Sequence, residues 1–184
     1  MNADASSLMS VYSGWDGYQI SLVNAITPLS REQLVYRPTQ LERSVGDIAA
    51  HIAFGRIDWF HRMGAQGSAE LVEQAAPFWR PWGPVDSAVG ESADEIVRWL
   101  NASWQMIENT LTQWTIDDLT KTFLQPYGGK TYAIPRQWVI WRIMAHDIHH
   151  GGQLSILLAE QGIELPELRD QGGHIVEVPL AELS

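Results

Sequence analysis

The sequence contains no cysteine. That absence removes disulfide frameworks, thiolate metal sites and cysteine nucleophiles together. It leaves histidine and carboxylate as the good protein ligands for a transition metal. Positive charge is also scarce: 12 Lys and Arg against 22 Asp and Glu give a formal net charge of −10. A phosphate backbone is bound mainly by Lys and Arg, so no nucleic-acid partner is expected. Anionic membrane surfaces are disfavoured for the same reason. No apolar run reaches the roughly 18 residues that a membrane span needs. The N-terminal stretch MNADASSLMSVYSGWDGYQ has neither a basic n-region nor an apolar h-region, which argues against a signal peptide and for a cytoplasmic protein. Internal repeats and low-complexity tracts are missing too.

What is present reads as one globular domain spanning residues 1–184, since single cores usually run to about 100–200 residues. Apolar residues make up 45% of the chain and charged residues 18%, an ordinary balance for a packed protein. Nine tryptophans are unusual at this length and supply a large buried area each.

Four helical stretches stand out. The first runs roughly from Ser7 to Ile26, with Leu8, Val11, Tyr12, Trp15, Ile20, Leu22, Val23 and Ile26 as an imperfect apolar stripe broken at Gly14 and Gly17. It stops short of Pro28, and a punctuated loop, LSREQLVYRPTQLER, follows. The second starts at Ser44, an N-cap with Asp47 as its capping-box partner, and continues to about Met63 before Gly64 and Gly67. Residues 75–90 hold several prolines and glycines among aromatics, which predicts an ordered but irregular loop. The third helix is predicted from Ser92, with Glu95 as capping partner, to about Trp114. Two strand-like runs flank Tyr127-Gly128-Gly129-Lys130 and predict a short β-hairpin. Pro135 then sits where a first helical residue belongs, opening a fourth helix from Arg136 to about Gln161, stopped by Gly162. The tail beyond Pro166 is polar and expected to wrap the surface. Four helices of this length predict an all-α four-helix bundle, whose sites are built from inward-facing side chains.

Three of the six histidines fall in His146-Asp147-Ile148-His149-His150. Residues i and i+4 share a helix face, so His146 and His150 can grip one metal ion side by side. His149 points about 60° away from His146 and is the weaker ligand, because three histidines on one helix do not converge easily. A third ligand should come from another helix, and His51, among Ile48, Ala50, Ile52 and Phe54, is the best placed. Each feature also has a plainer reading. An i,i+4 histidine pair can be coincidental, and His51 can be a hydrogen-bonded core histidine. His61 and His174 read as ordinary surface or loop residues. Asp58 and Asp147 are either carboxylates orienting an imidazole or, more simply, solvated charges on a helix face. Spacing alone does not decide.

The segment Ala145-His146-Asp147-Ile148-His149-His150-Gly151-Gly152-Gln153-Leu154 resembles the fourth-helix signature of the DinB-like (DNA-damage-inducible) superfamily, H-x-x-H-H-R-G-Q. Ser44-Val45-Gly46-Asp47-Ile48-Ala49-Ala50-His51-Ile52 is similar to that family's second-helix motif. The order of helices and the Gly-rich hairpin match as well. The resemblance implies an up-down-down-up four-helix bundle, often a homodimer. It also implies a divalent transition metal held by His51, His146 and His150. Gly151 departs from the pattern, where the family usually has arginine. Three imidazoles suit zinc, nickel, iron or copper nearly equally.

Several relatives are transferases or isomerases that use a low-molecular-weight thiol such as mycothiol or bacillithiol. By resemblance, this chain is expected to be a metal-dependent thiol S-transferase acting on a small electrophile, the thiol losing its proton at the metal. An aromatic loop around Phe78, Trp79 and Trp82 is expected to cover the site. Two alternatives stand beside it: a metal-dependent hydrolase using activated water, and a non-catalytic dimeric stress-response or binding protein with a structural metal.

Overall fold

The computed structural model describes residues 7–39, 43–81, 83–165 and Leu168. Trp82, His174 and the tail beyond Pro166 lie outside the described residues, apart from Leu168, which is buried. The described elements are α1 (Leu8–Val11), α2 (Trp15–Ile26), α3 (Arg31–Leu34), α4 (Val45–Arg62), α5 (Ser68–Ala75) and α6 (Ser87–Gly90). They continue with α7 (Ala93–Gln113), α8 (Ile116–Leu119), β1 (Thr122–Tyr127), β2 (Lys130–Pro135) and α9 (Arg136–Ala159).

The four long helices are α2, α4, α7 and α9, and pairs of touching side chains give their directions. Trp15 meets Trp104 while Gln19 meets Asn101, so α2 and α7 run antiparallel. Gly55 abuts His146 while Trp59 meets Trp138, so α4 and α9 are antiparallel too. Phe54 packs on Trp99 and Arg56 on Trp104, which makes α4 and α7 parallel. That is the up-down-down-up order, and parallel neighbours need a long crossover. Residues 63–92 supply it.

The helix starts follow from local chemistry. Ser44 accepts from the Asp47 amide while Asp47 accepts from the Ser44 amide, a complete capping box on α4. Ser92 caps α7 by accepting from Glu95. Gly14, at φ 97°, breaks the first helical stretch into α1 and α2, whereas Gly17 lies buried inside α2 without a break. The crossover is less irregular than its composition predicts, since α5 and α6 fall within it or beside it. Its aromatics do pack: Trp79 stacks on Phe54 at 5.5 Å and Phe78 meets Trp99 edge-on at 6.3 Å.

The hairpin pairs Thr122 with Pro135 through Tyr127 with Lys130, and its two-residue turn places Gly128 and Gly129 at φ 58° and 73°. Only glycine enters that region twice in succession without strain. Pro135 differs from its expected place: it closes β2 and caps α9, with helical residues beginning at Arg136. Arg136 then ties the corner, donating to the Met63 carbonyl at 2.9 and 3.1 Å and stacking on Trp114. The core is carried by Trp99, Phe54, Phe60, Leu22, Ile52, Ile57 and Leu100, all fully buried.

Candidate metal centre

His51 projects from the middle of α4, and His146 and His150 from one face of α9. One ligating atom from each of the three lies within 4.8 Å of the others. The Nε2 atoms of His146 and His51 are 3.1 Å apart, and ring centroids are separated by 4.4 to 4.9 Å. Two imidazoles on one tetrahedral ion, at about 2.0–2.1 Å each, place their nitrogens roughly 3.3 Å apart. The His51–His146 pair already stands near that spacing, and His150 lies within reach of both. The cluster could hold a metal ion.

Burial prepares the donors. It pushes the His51 imidazole down to about 3, with the Arg43 guanidinium and the other two imidazoles adding to the effect. His150 is pushed down to about 4, again mainly by burial and then by His146. Both are therefore neutral lone-pair donors near pH 7. His150 Nδ1 lies 2.7 Å from Gln153 Oε1, a hydrogen bond that leaves Nε2 as the free donor.

His146 is supported from two sides. A Cβ on Gly55 would stand 3.1 Å from His146 Cε1, so a glycine on α4 makes room for the ring. On the other side is Asp147, whose Oδ1 is 3.7 Å from His146 Nδ1. Asp147 is not a solvated charge but fully buried. Its Oδ2 accepts from Trp15 Nε1 at 2.9 Å and from Arg56 Nε at 2.8 Å, and Arg56 NH1 donates to Gln19 at 2.6 Å. Burial alone would raise its pKa, yet the Arg56 guanidinium and these hydrogen bonds hold the carboxyl below its usual range. Oδ1 and His146 Nδ1 are both buried without a hydrogen-bond partner. They face each other as an imidazole and its orienting carboxylate do when the far nitrogen binds metal.

The other sequence candidates fall away. His149 is exposed and outside the cluster. His61 bonds Ser68, and Asp58 forks onto Arg62. Phe78 and Trp79 make their ring contacts with Phe54 and Trp99, and neither lines the cleft beside His150. Sequence reasoning missed Gly55, Gln153 and the Trp15–Arg56–Gln19 support. Gln153 is the closing glutamine of the fourth-helix signature, which could have nominated it, whereas for the others only the one-turn offset of Gly55 from His51 hints at a role.

The sequence profile of the DinB superfamily matches residues 20–154. The chain belongs to that superfamily. Among solved structures, a DinB-like protein from Bacillus cereus aligns at 20% identity with a TM-score of 0.65, covering 89% of this chain and 98% of that one. At that identity the likeness shows the DinB-like fold. No protein of curated function matches. The departure from the superfamily signature at Gly151 has a local cause: a Cβ there would lie 1.7 Å from the Tyr18 hydroxyl. That hydroxyl donates to the Asp147 carbonyl at 3.2 Å, so Tyr18 occupies the space a side chain at residue 151 would enter.

Proposed function

We propose that this DinB-superfamily chain, as one domain and as a homodimer, holds a divalent transition metal on His51, His146 and His150. We further propose that it transfers a low-molecular-weight thiol to a small electrophile. The observation that carries the reading is the donor set: among the described residues the cluster contains three imidazoles and no fourth protein ligand. Closed structural sites use four protein ligands, whereas three leave a position for an exchangeable group. A divalent ion held there would supply acidity to a thiol at that position.

The chain's own residues do the rest. His51 and His150 stay unprotonated at neutral pH, and Gln153 and Asp147 hold two of the rings in register. Beside His150 opens a cleft of ≈ 670 Å³ lined by Pro38, Arg43, Ile48, Gln153 and Ile156. That volume is of the size that small-molecule sites take. Arg43 and Glu160 bring one charge of each sign to this cleft, the guanidinium suited to a carboxylate of a biological thiol.

The test combines elemental analysis with turnover. The protein loaded with zinc, nickel or iron should join bacillithiol or mycothiol to a chromogenic aryl halide, the sulfur–carbon bond forming as halide leaves. His51→Ala and His150→Ala should lose both metal and rate. Full metal retention in both variants would dismantle the triad. Metal bound with no rate above background would leave a structural metal and remove the transferase.

A further inference from the structure

The same seam between α4 and α9 carries, on the hairpin side of the triad, a second cleft of ≈ 650 Å³ that the metal centre does not use. Trp59 and Arg62 come to it from α4, Trp138 and Arg142 from α9, and Tyr127 and Tyr132 from the hairpin. The Trp59 and Trp138 rings meet at 6.2 Å and 61°, forming a corner. The Arg142 guanidinium lies over both, at 5.4 and 5.3 Å from their centroids.

The two arginines differ in what they have left to offer. Arg62 is spoken for: both Asp58 oxygens accept from it at 3.0 Å, and Gln125 accepts from NH1. Arg142 has no carboxylate within ion-pair distance among the described residues, although the chain carries 22 acidic residues. An acidic protein thus presents one unpaired cation among exposed aromatic rings: Tyr127 is 75%, Tyr132 46% and Trp138 43% exposed. Apolar walls with one fixed charge are the composition of a ligand site, and the volume falls within the usual few hundred to about 1,000 Å³.

We propose that this cleft binds a small planar aromatic carboxylate, its ring against Trp138 and Tyr132 and its carboxylate on Arg142. A second copy of the chain suits it less, because a stable interface wants a broad patch of about 800 Å² per partner, whereas this is a concave corner with one guanidinium over two indole faces. Arg142 precedes His146 by one helical turn, about 6 Å along α9. The site nonetheless requires no metal, and it stands whether or not the triad transfers thiols.

Metal-free full-length protein is titrated with naphthoate and with the neutral naphthalenemethanol, following tryptophan fluorescence and heat. Wild type should bind the acid at least about tenfold more tightly than the alcohol, the gain of a charge-assisted pair. Arg142→Gln should erase that ratio, bringing the acid down to the affinity of the alcohol, and Trp138→Ala should weaken both. Circular dichroism verifies that each variant is folded. Equal affinity of wild type for the two probes, or a ratio that survives Arg142→Gln, overturns the proposal. So does a Trp138→Ala variant that turns a dimer into a monomer in sedimentation while naphthoate fails to bind wild type, since the cleft then belongs to an interface between copies.

Discussion

Asp147 carries two duties at once, and they can be separated by mutation. Its buried pairing with Arg56 holds α9 to α4, and its second oxygen faces the ring of His146. Asp147→Asn leaves the Arg56 charge buried without its counter-ion, which should cost about 3–5 kcal/mol in urea unfolding. The folded fraction should in addition bind metal about 10- to 100-fold more weakly, as read by competition with a chromogenic chelator. A variant that unfolds earlier yet binds metal unchanged would confine Asp147 to the first duty. Two adjacent glycines give a sharper contrast. In an exposed helix, Gly→Ala normally stabilises by about 1 kcal/mol. Gly152 has open space around its missing Cβ, so Gly152→Ala should raise the urea midpoint. At Gly151 the Tyr18 hydroxyl occupies that space, and Gly151→Ala should lower stability by about 1–3 kcal/mol. The two variants moving the midpoint in the same direction would refute the steric account.

At the scale of elements, the long helices were legible because cap and stripe agree. Ser44, Asp47 and the apolar positions of α4 point to one start, and the structure uses all of them. Ser44→Ala should cost about 1 kcal/mol, measured as a shift in thermal midpoint, because it orphans the Asp47 amide. The short helices were not legible. Ser30 and Gln33 make a complete capping box on α3, and on α8 Asp118 accepts from both the Thr115 amide and hydroxyl, but each cap opens only four helical residues. A single turn shows no period, so the same residues read equally as loop. Helix α9 does start at Arg136 as its sequence predicts, with Pro135 just outside it, because the proline's fixed φ serves an extended strand end as well as a helix start.

For the whole molecule, the neutral histidines tie metal, acidity and folding together. Burial holds His51 and His150 at about 3 and about 4 in the folded chain, against the ordinary histidine value of 6.5. Between those values and 6.5 the unfolded chain takes up protons that the folded chain refuses. This contribution to stability is therefore complete above about pH 6.5 and is lost on acidification until the folded pKa values are passed. Metal-free protein should unfold in less urea at about pH 5 than at about pH 7.5, and His51→Gln should flatten that dependence. An equal slope in the variant would detach the effect from His51. Bound metal should oppose it, since an ion at a hundredfold excess over its dissociation constant adds about 2.7 kcal/mol. Chelation should accordingly lower the thermal midpoint.

The sequence by itself determined what acts within a turn or two of chain: the caps of α4 and α7, the glycine turn of the hairpin, and the shared face of His146 and His150. Composition added the exclusion of thiolate and nucleic-acid chemistry. His51 could be nominated from its apolar setting and from the family likeness, but not joined to the pair, since 95 residues separate it from His146. Only the packing of α4 on α9 brought those imidazoles to 3.1 Å. Packing of α4 and α2 on α9 buried Asp147, against the plainer reading of a solvated charge, and α2 set Tyr18 where a side chain on residue 151 would stand. The packing of α4 on α9 also left Arg142 unpaired between two indoles. Backbone preferences reach along a helix, whereas these distances belong to the contacts between helices, which close packing settles jointly rather than residue by residue.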